Sequence, residues 1–452
     1  MIDRMRTLAF GSGLMTRAFR SSAINAGGYA GFQFLRLLSN LVLTRILFPE
    51  AFGIMALISV VMVGLSMFSD VGTSPAIMRS PRGDEEEFLN TAWTIQIIRG
   101  ICLWLAACAL AYPVALIYGE PMLMQLLPVA ALSLLIAGFN PTKLESANRH
   151  MQAGRVTLIE LAVQVTGLII AITAAWALQS VWALVISGLA AALTHLILLN
   201  RFLPGPRNHL RWEKAAAHEL IHFGKWVFLS TICGFFVAQG DKLLIGKYLS
   251  LEAFGVYNIG YFLASFPLLM GGMVIQKVLV PIYRDSPPAA SRENFLTLRR
   301  MRMAATGLLV SLLLIVAALG PWMVNLLYDP RYAAAGAVVT LLACMQIPML
   351  VTLTYDRAAL ASGDSRDFFY LSLVRAVVLL LMLALGLSYW GLIGAILGIG
   401  LAALLTYPAV VWLARRQGAW DPLHDIAYTG LGLGVSALLL VLHWETIQTI
   451  SG

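Results

Sequence analysis

The chain has 452 residues, of which 59% are hydrophobic and only 12% charged, and its mean hydropathy is +0.80. About a quarter of the residues of a soluble globule are charged, so this composition excludes one and requires a polytopic membrane protein. The net charge of +8 would suit nucleic acid in a soluble protein. Here the basic residues lie in loops between apolar segments, which makes them markers of topology, and no nucleic-acid partner is expected.

Taken in chain order, residues 1–20 carry Arg4, Arg6, Arg17 and Arg20 with no compact apolar core and no small-residue cleavage site, so a retained N-terminus is expected. Apolar stretches long enough to cross a bilayer, about 20 residues each, then cover 24–47, 51–72, 91–112, 122–140, 156–178 and 180–203. A basic linker follows, and a second set covers 223–246, 253–279, 303–327, 334–361, 368–389 and 391–414, with a weaker thirteenth stretch at 427–444. With the N-terminus in the cytoplasm, the loops and tails on that side hold 22 Lys and Arg, while the opposite face has only Arg45, Lys247 and Arg331. That asymmetry supports the orientation and an even number of core helices. The expected organisation is an N-terminal six-helix lobe (1–203), a basic cytoplasmic linker (204–222), a C-terminal six-helix lobe (223–416) and a C-terminal segment (417–452) with the extra helix.

An internal repeat underlies this division. Leu41, Arg45, Leu47 and the turn Glu50-Ala51-Phe52-Gly53 return 202 residues later as Leu243, Lys247, Leu249 and Glu252-Ala253-Phe254-Gly255. Glu50, Gly53, Glu252 and Gly255 read most simply as parts of a tight interhelical turn. Six helices separate the copies, so both halves enter the membrane from the same side and the repeat is parallel, with its pseudo-two-fold axis along the membrane normal. The fold class predicted is all-α, two six-helix lobes around a central cavity.

The long cytoplasmic connection 79–90 contains Asp84-Glu85-Glu86-Glu87, which suits the first turn of the third helix through the macrodipole. Cys102, Cys108, Cys233 and Cys344 fall in apolar segments without metal-ligand spacing and read as small buried hydrophobes, so no metal is expected. Pro128, Pro267 with Gly271-Gly272, and Pro348 can bend their helices and free backbone carbonyls. The small-residue runs 25–31 and 394–400 suit close helix contacts.

Ionisable groups inside the membrane cost several kcal/mol unless paired or hydrated. Arg36 is the deepest cation; Arg99, Arg357 and Arg375 lie nearer the cytoplasmic end of their helices; Lys242 follows Asp241 in the outer third of helix seven. Each could line a cavity or pair structurally. Lys242 and Asp241, adjacent on a helix, diverge by about 100° and make poor partners. Fewer buried carboxylates face these cations: Asp241, Glu160, Asp70 and Asp356. These could carry coupling protons or Na⁺ or form ion pairs, and Asp70 and Asp356 fall at the cytoplasmic interface. The surplus of cations points to an anionic substrate, and clustered guanidinium groups suit phosphate oxygens because each fork donates two parallel hydrogen bonds.

The opening 23–28, the stretch Leu41 to Arg45, Phe48-Pro49-Glu50-Ala51-Phe52-Gly53 and Ser69-Asp70-Val71-Gly72 resemble the start of the polysaccharide transporter family. The likeness extends through Glu252-Ala253-Phe254-Gly255 to Leu360-Ala361-Ser362-Gly363-Asp364. The family comprises Wzx-type flippases of lipid-linked oligosaccharides, in the superfamily that also holds multidrug extruders and lipid II flippases. The resemblance implies two lobes alternating about a cation-lined cavity, a polyprenyl-diphosphate-linked glycan as cargo, and a bacterial inner membrane. It implies no cofactor beyond proton or Na⁺ coupling, and partners among polysaccharide polymerases and chain-length or export proteins. On it, Arg36, Arg99, Lys242, Arg357 and Arg375 meet the diphosphate. Rival readings are a multidrug or cation antiporter, in which buried acids should exceed buried bases; a major-facilitator porter, whose basic loop after helix two is absent; and a polymerase or ligase, which needs a large outward catalytic loop that the sequence lacks.

Overall fold

The computed structural model describes residues 14–69, 72–150, 152–275, 279–361 and 365–450. Every apolar segment read from the sequence is a helix or a broken helix. The chain runs α1 (Leu14–Ile46), α2 (Pro49–Phe68), α3 (Thr73–Arg79), α4 (Glu86–Tyr118), α5 (Leu123–Gly138), α6 (Lys143–Arg149), α7 (Ala153–Leu178) and α8 (Trp182–Phe202). It continues with α9 (Lys214–Tyr248), α10 (Leu251–Ala264), α11 (Phe266–Val274), α12 (Val280–Asp285), α13 (Arg292–Leu327), α14 (Ala335–Met345), α15 (Ile347–Ala361), α16 (Ser365–Arg416), α17 (Pro422–Leu442) and α18 (Trp444–Gln448). Among the described residues, seven helices are long and apolar enough to cross a membrane, and three bent pairs raise this to ten. Helix α16 is two helices divided at Trp390-Gly391, where Gly391 takes φ 57° and ψ −134°, a conformation closed to residues with a Cβ. Helices α1 and α9, at 33 and 35 residues, also have the length to cross. The fold is that of an all-α, multi-pass membrane protein.

Contacts divide the chain into two compact units, Met1–Leu47 with Ile58–Thr231, and Phe48–Leu57 with Ile232–Gly452. In the first, α1 lies on α7, α4 on α5, and α8 on both α5 and α7. Small residues set the crossings: a Cβ on Gly28 would meet Thr157, one on Gly31 would meet Leu161, and Gly100 and Gly138 face each other across α4 and α5. The linker 203–213 is not helical. It forms a strap along the start of α4: the backbone N–H groups of His209, Arg211 and Glu213 donate to Asn90 Oδ1, Thr94 Oγ1 and Thr91 Oγ1 at 3.0, 3.0 and 3.1 Å. These side chains supply the partners that an extended backbone needs.

The acidic run fastens the same strap. Glu86 and Glu87 occupy the first turn of α4, as the macrodipole argument requires. Glu87 also pairs with Arg211 at 2.5 Å, Glu85 and Glu213 share Arg82 at 2.7 and 2.9 Å, and Asp84 meets Arg149 and His150 at 3.2 and 3.1 Å. Its role is wider than the helix-start assignment.

In the second unit, the first turns of α2 pack with α10 through the sequence repeat itself. A Cβ on Gly53 would stand 2.3 Å from the carbonyl oxygen of Leu251, and one on Gly255 would stand 2.0 Å from that of Pro49. Pro49 and Leu251 are themselves repeat equivalents, so the contact is reciprocal, like a small isologous interface. Both glycines are needed because backbone meets backbone. Helix α17 is fastened to this unit by a buried polar cluster. Arg299 grips Asp421 with two bonds of 2.6 Å, His424 bridges Asp425 and Thr306 at 2.9 Å each, and Tyr355 and Tyr407 each donate to Asp425 at 2.8 Å. Fully buried Arg302 donates to Ala419 O at 2.5 Å and lies 4.0 Å over the Tyr355 ring. Two cations, Arg299 and Arg302, lie in this cluster with two carboxylates, Asp421 and Asp425.

Candidate functional site

Two of the helix breaks in the second unit fall at prolines. A proline lacks an N–H, clashes with the carbonyl four residues back and disfavours helical geometry in the residue before it. Helices α10 and α11 meet at Ser265, two residues before Pro267, with a 45° bend, and α14 and α15 meet at Gln346, two residues before Pro348, with a 42° bend. The two breaks touch: Gln346 Nε2 donates to Ser265 Oγ at 2.9 Å, with both residues buried. Gln346 Oε1 is buried without a partner. Pro128 behaves differently. It lies inside an unbroken α5, and the 62° bend falls instead between Gly138 and Lys143, beside Pro141.

Beside the paired breaks lies a cavity of about 110 Å³ lined by Asp241, Tyr261, Gln346, Thr352, Arg375 and Thr406, among apolar neighbours. Asp241 is 5% exposed and accepts the Tyr257 hydroxyl at 2.6 Å. Lys242 Nζ stands 3.7 Å from Asp241 Oδ1 and 3.9 Å from the centre of the Tyr261 ring. Adjacent on the helix, the two side chains nonetheless form an ion pair, which the expected divergence did not foresee. Tyr257 holds the carboxylate at hydrogen-bond distance, and the ammonium settles on an aromatic face, where the ring quadrupole attracts it. Asp241 and Arg375 line this one cavity, and Lys242 stands beside Asp241. Broken helices of this kind are tolerated at membrane depth where the irregular backbone lines a cavity.

The other candidates fall elsewhere. Arg99 is half-buried, and its guanidinium is engaged within the first unit by Ser69 Oγ at 2.9 Å and the carbonyl of Ser66 at 2.7 Å. Arg36 is exposed on α1, and Glu160 is exposed on α7. Glu50 and Glu252 are exposed at the repeat turns, while Gly53 and Gly255 are buried. Asp70 lies outside the described residues, as do the side chains of Asp356 and Arg357 on α15. Cys233 and Cys344 are buried, but Cys102 is exposed and Cys108 half-exposed, because α4 turns that face outward; the expectation of burial fails for this pair. Sequence reasoning missed Tyr257, Tyr261, Ser265 and Gln346. A polar residue two places before a proline within an apolar segment was the available signal for the last two.

The architecture defines a class by its fold, the all-α multi-pass membrane proteins of two compact units. Solved structures share it: the lipid II flippase MurJ in an inward closed conformation matches with a TM-score of 0.68 at 12% identity, covering 93% of this chain and 92% of that one. An inward-facing multidrug resistance MATE family transporter of the MOP superfamily matches with 0.65 at 14% identity, covering 86% and 95%. Within that class, the model of the "Polysaccharide biosynthesis protein" family matches residues 42–337, and the chain belongs to this family. Its relatives include the succinoglycan biosynthesis transport protein ExoT of Rhizobium meliloti (strain 1021), 22% identical over 431 residues, 95% of this chain and 85% of ExoT. The teichuronic acid biosynthesis protein TuaB of Bacillus subtilis (strain 168) is 23% identical over 310 residues, 67% of this chain and 62% of TuaB. The family and fold expected from the repeat turn and the opening residues are those found.

Proposed function

We propose that this protein is a flippase that moves a polyprenyl-diphosphate-linked oligosaccharide from the cytoplasmic to the outer leaflet of a bacterial inner membrane, its N-terminus in the cytoplasm. The observation that carries this reading is a guanidinium, that of Arg375, on the wall of a cavity at the broken helices, with Asp241 on the same wall and Lys242 beside Asp241. A diphosphate is the portion of such a cargo that most needs desolvated cations, and guanidinium matches it with paired donors. Arg36 and Arg357 are assigned to the same task as the cargo advances, whereas Arg99 is engaged by Ser66 and Ser69. The lobes 1–203 and 223–416, related by a parallel pseudo-two-fold, alternate in access while the lipid tail stays in the bilayer. Asp241 carries a proton or Na⁺ for resetting, with Glu160, Asp70 and Asp356 as further acids, and polysaccharide polymerase and export proteins take the product. The names of the relatives, which concern the making of surface polysaccharides, support this cargo over drugs.

The test is reconstitution in proteoliposomes with lipid-linked oligosaccharide extracted from cells that lack the gene. Wild type should move the glycan to the far leaflet, and Arg36→Ala and Arg375→Ala should abolish movement while inserting normally. Unchanged transport by both variants overturns the reading, and so does wild-type movement of cationic drugs in place of the glycan lipid.

A further inference from the structure

A second, much larger cavity, about 990 Å³, opens in the second unit where the repeat turn, the break in α16 and the C-terminal helix meet. It is at the upper end of small-ligand pockets, about 300–1,000 Å³. Its lining is unlike that of the cavity at the broken helices. Tyr389, Trp390 and Trp444 face it and are 76%, 70% and 56% exposed, accompanied by Glu252 and Arg331.

The sequence builds this arrangement deliberately. Gly386 and Gly394 let the two arms of α16 touch, since a Cβ on either would lie 2.0 Å from the other's carbonyl oxygen, and Gly391 supplies the positive φ that turns the chain between them. Tyr389 and Trp390 therefore stand at the apex of a rigid hairpin. Arg331 is held by Asp329 Oδ1 at 2.8 Å and by the Phe48 ring at 4.9 Å, which fixes its place on the wall. Glu252 is the acid of the repeat turn and is exposed. Aromatic residues at a membrane interface ordinarily anchor a protein in the headgroup layer. Three rings that converge on one concavity with a carboxylate and a guanidinium have a different chemistry available to them. Flat apolar faces cover the C–H faces of pyranose rings, and planar charged groups bind hydroxyls in pairs.

We propose that this cavity is a carbohydrate-binding vestibule that holds the sugar portion of the cargo, with Tyr389, Trp390 and Trp444 as stacking platforms and Glu252 and Arg331 as hydroxyl ligands. The proposal rests on the flippase reading and adds a site for the glycan separate from that for the diphosphate. It makes recognition depend on how much sugar the lipid carries.

The experiment compares two cargoes in the same proteoliposomes: undecaprenyl diphosphate bearing one hexose, and the lipid-linked oligosaccharide pool from cells lacking the gene. Trp390→Ala and Trp444→Ala should slow movement of the oligosaccharide lipid roughly tenfold each, the effect of one lost stacking contact, and leave the hexose lipid unchanged. Trp390→Phe should restore most of the loss, which separates stacking from folding. Equal slowing of both cargoes, or of neither, overturns the vestibule while leaving the flippase intact. If wild type moves neither cargo, the flippase reading fails and the vestibule falls with it.

Discussion

The two units use polar side chains in different places. In the first, Arg99 is engaged by Ser66 and Ser69, and Asn90, Thr91 and Thr94 hold the linker strap. In the second, two proline-broken helices leave Gln346 Oε1 without a partner beside a cavity that Asp241 and Arg375 line. The repeat sharpens the contrast. At the offset of 202, Asp241, Lys242, Tyr257 and Tyr261 correspond to Ser39, Asn40, Met55 and Ser59, and Arg36 corresponds to Ala238. The duplicated turn persists while the chemistry on the helices beside it has diverged, so Asp241, Lys242, Tyr257 and Tyr261 have no chemical counterparts at the offset of 202.

The sharpest way to break this contrast is to remove one arginine from each unit. Arg375→Ala should lower transport by roughly two orders of magnitude, the cost of losing one desolvated charge contact to a bound anion, with little change in melting temperature. Arg99→Ala should do the reverse. It removes two charged hydrogen bonds and should lower the stability of the detergent-solubilised protein by about 1–3 kcal/mol, while leaving transport per folded molecule near normal. Matching effects of the two variants would show that the units do not divide their labour.

Between these lies Asp421, which belongs to the second unit but to its scaffold. Its side chain is fully buried and doubly bonded to Arg299. Asp421→Ala should cost about 3–5 kcal/mol, because the remaining guanidinium keeps its desolvation penalty without its partner, and a thermal melt checks it. Burial pushes this carboxyl's pKa up, but the Arg299 pair and the His424 amide outweigh that and hold it below the ordinary 3.8. A lowered carboxyl pKa stabilises fully above the unfolded value and is lost as pH falls through the folded one. The difference in melting temperature between wild type and Asp421→Asn should therefore stay constant at neutral pH and shrink only under strong acid.

Much of this was legible in the sequence because the bilayer imposes length and periodicity on each segment. The break between 389 and 391, the start of α4 at the acidic run and the kinks near Pro267 and Pro348 follow from residues local to them. What could not be read were contacts between distant positions. The strap joins residues 208–213 to 90–94, more than a hundred positions apart, and nothing in either stretch alone names the other. Asp241 and Arg375 were each visible as charges in apolar helices, but their sharing of one cavity depends on how α9 and α16 pack. Arg99 looked equivalent to Arg375 by depth and composition, and only the position of the Ser66 carbonyl separates them.

Tyr257→Phe tests the smallest and most specific part of the contrast. The hydroxyl is the closest partner of Asp241, at 2.6 Å, whereas Lys242 stands 3.7 Å away and rests on Tyr261. Removing the hydroxyl takes one short hydrogen bond from a buried carboxylate, worth about 1–3 kcal/mol, but leaves the shape of the ring. The carboxylate then draws Lys242 off Tyr261, Lys242 is lost to the cargo, and transport should fall severalfold, with Lys242→Ala adding nothing further. Additive effects of the two substitutions would mean that Asp241, Tyr257 and Lys242 do not act as one unit, and the site would reduce to Arg375 alone.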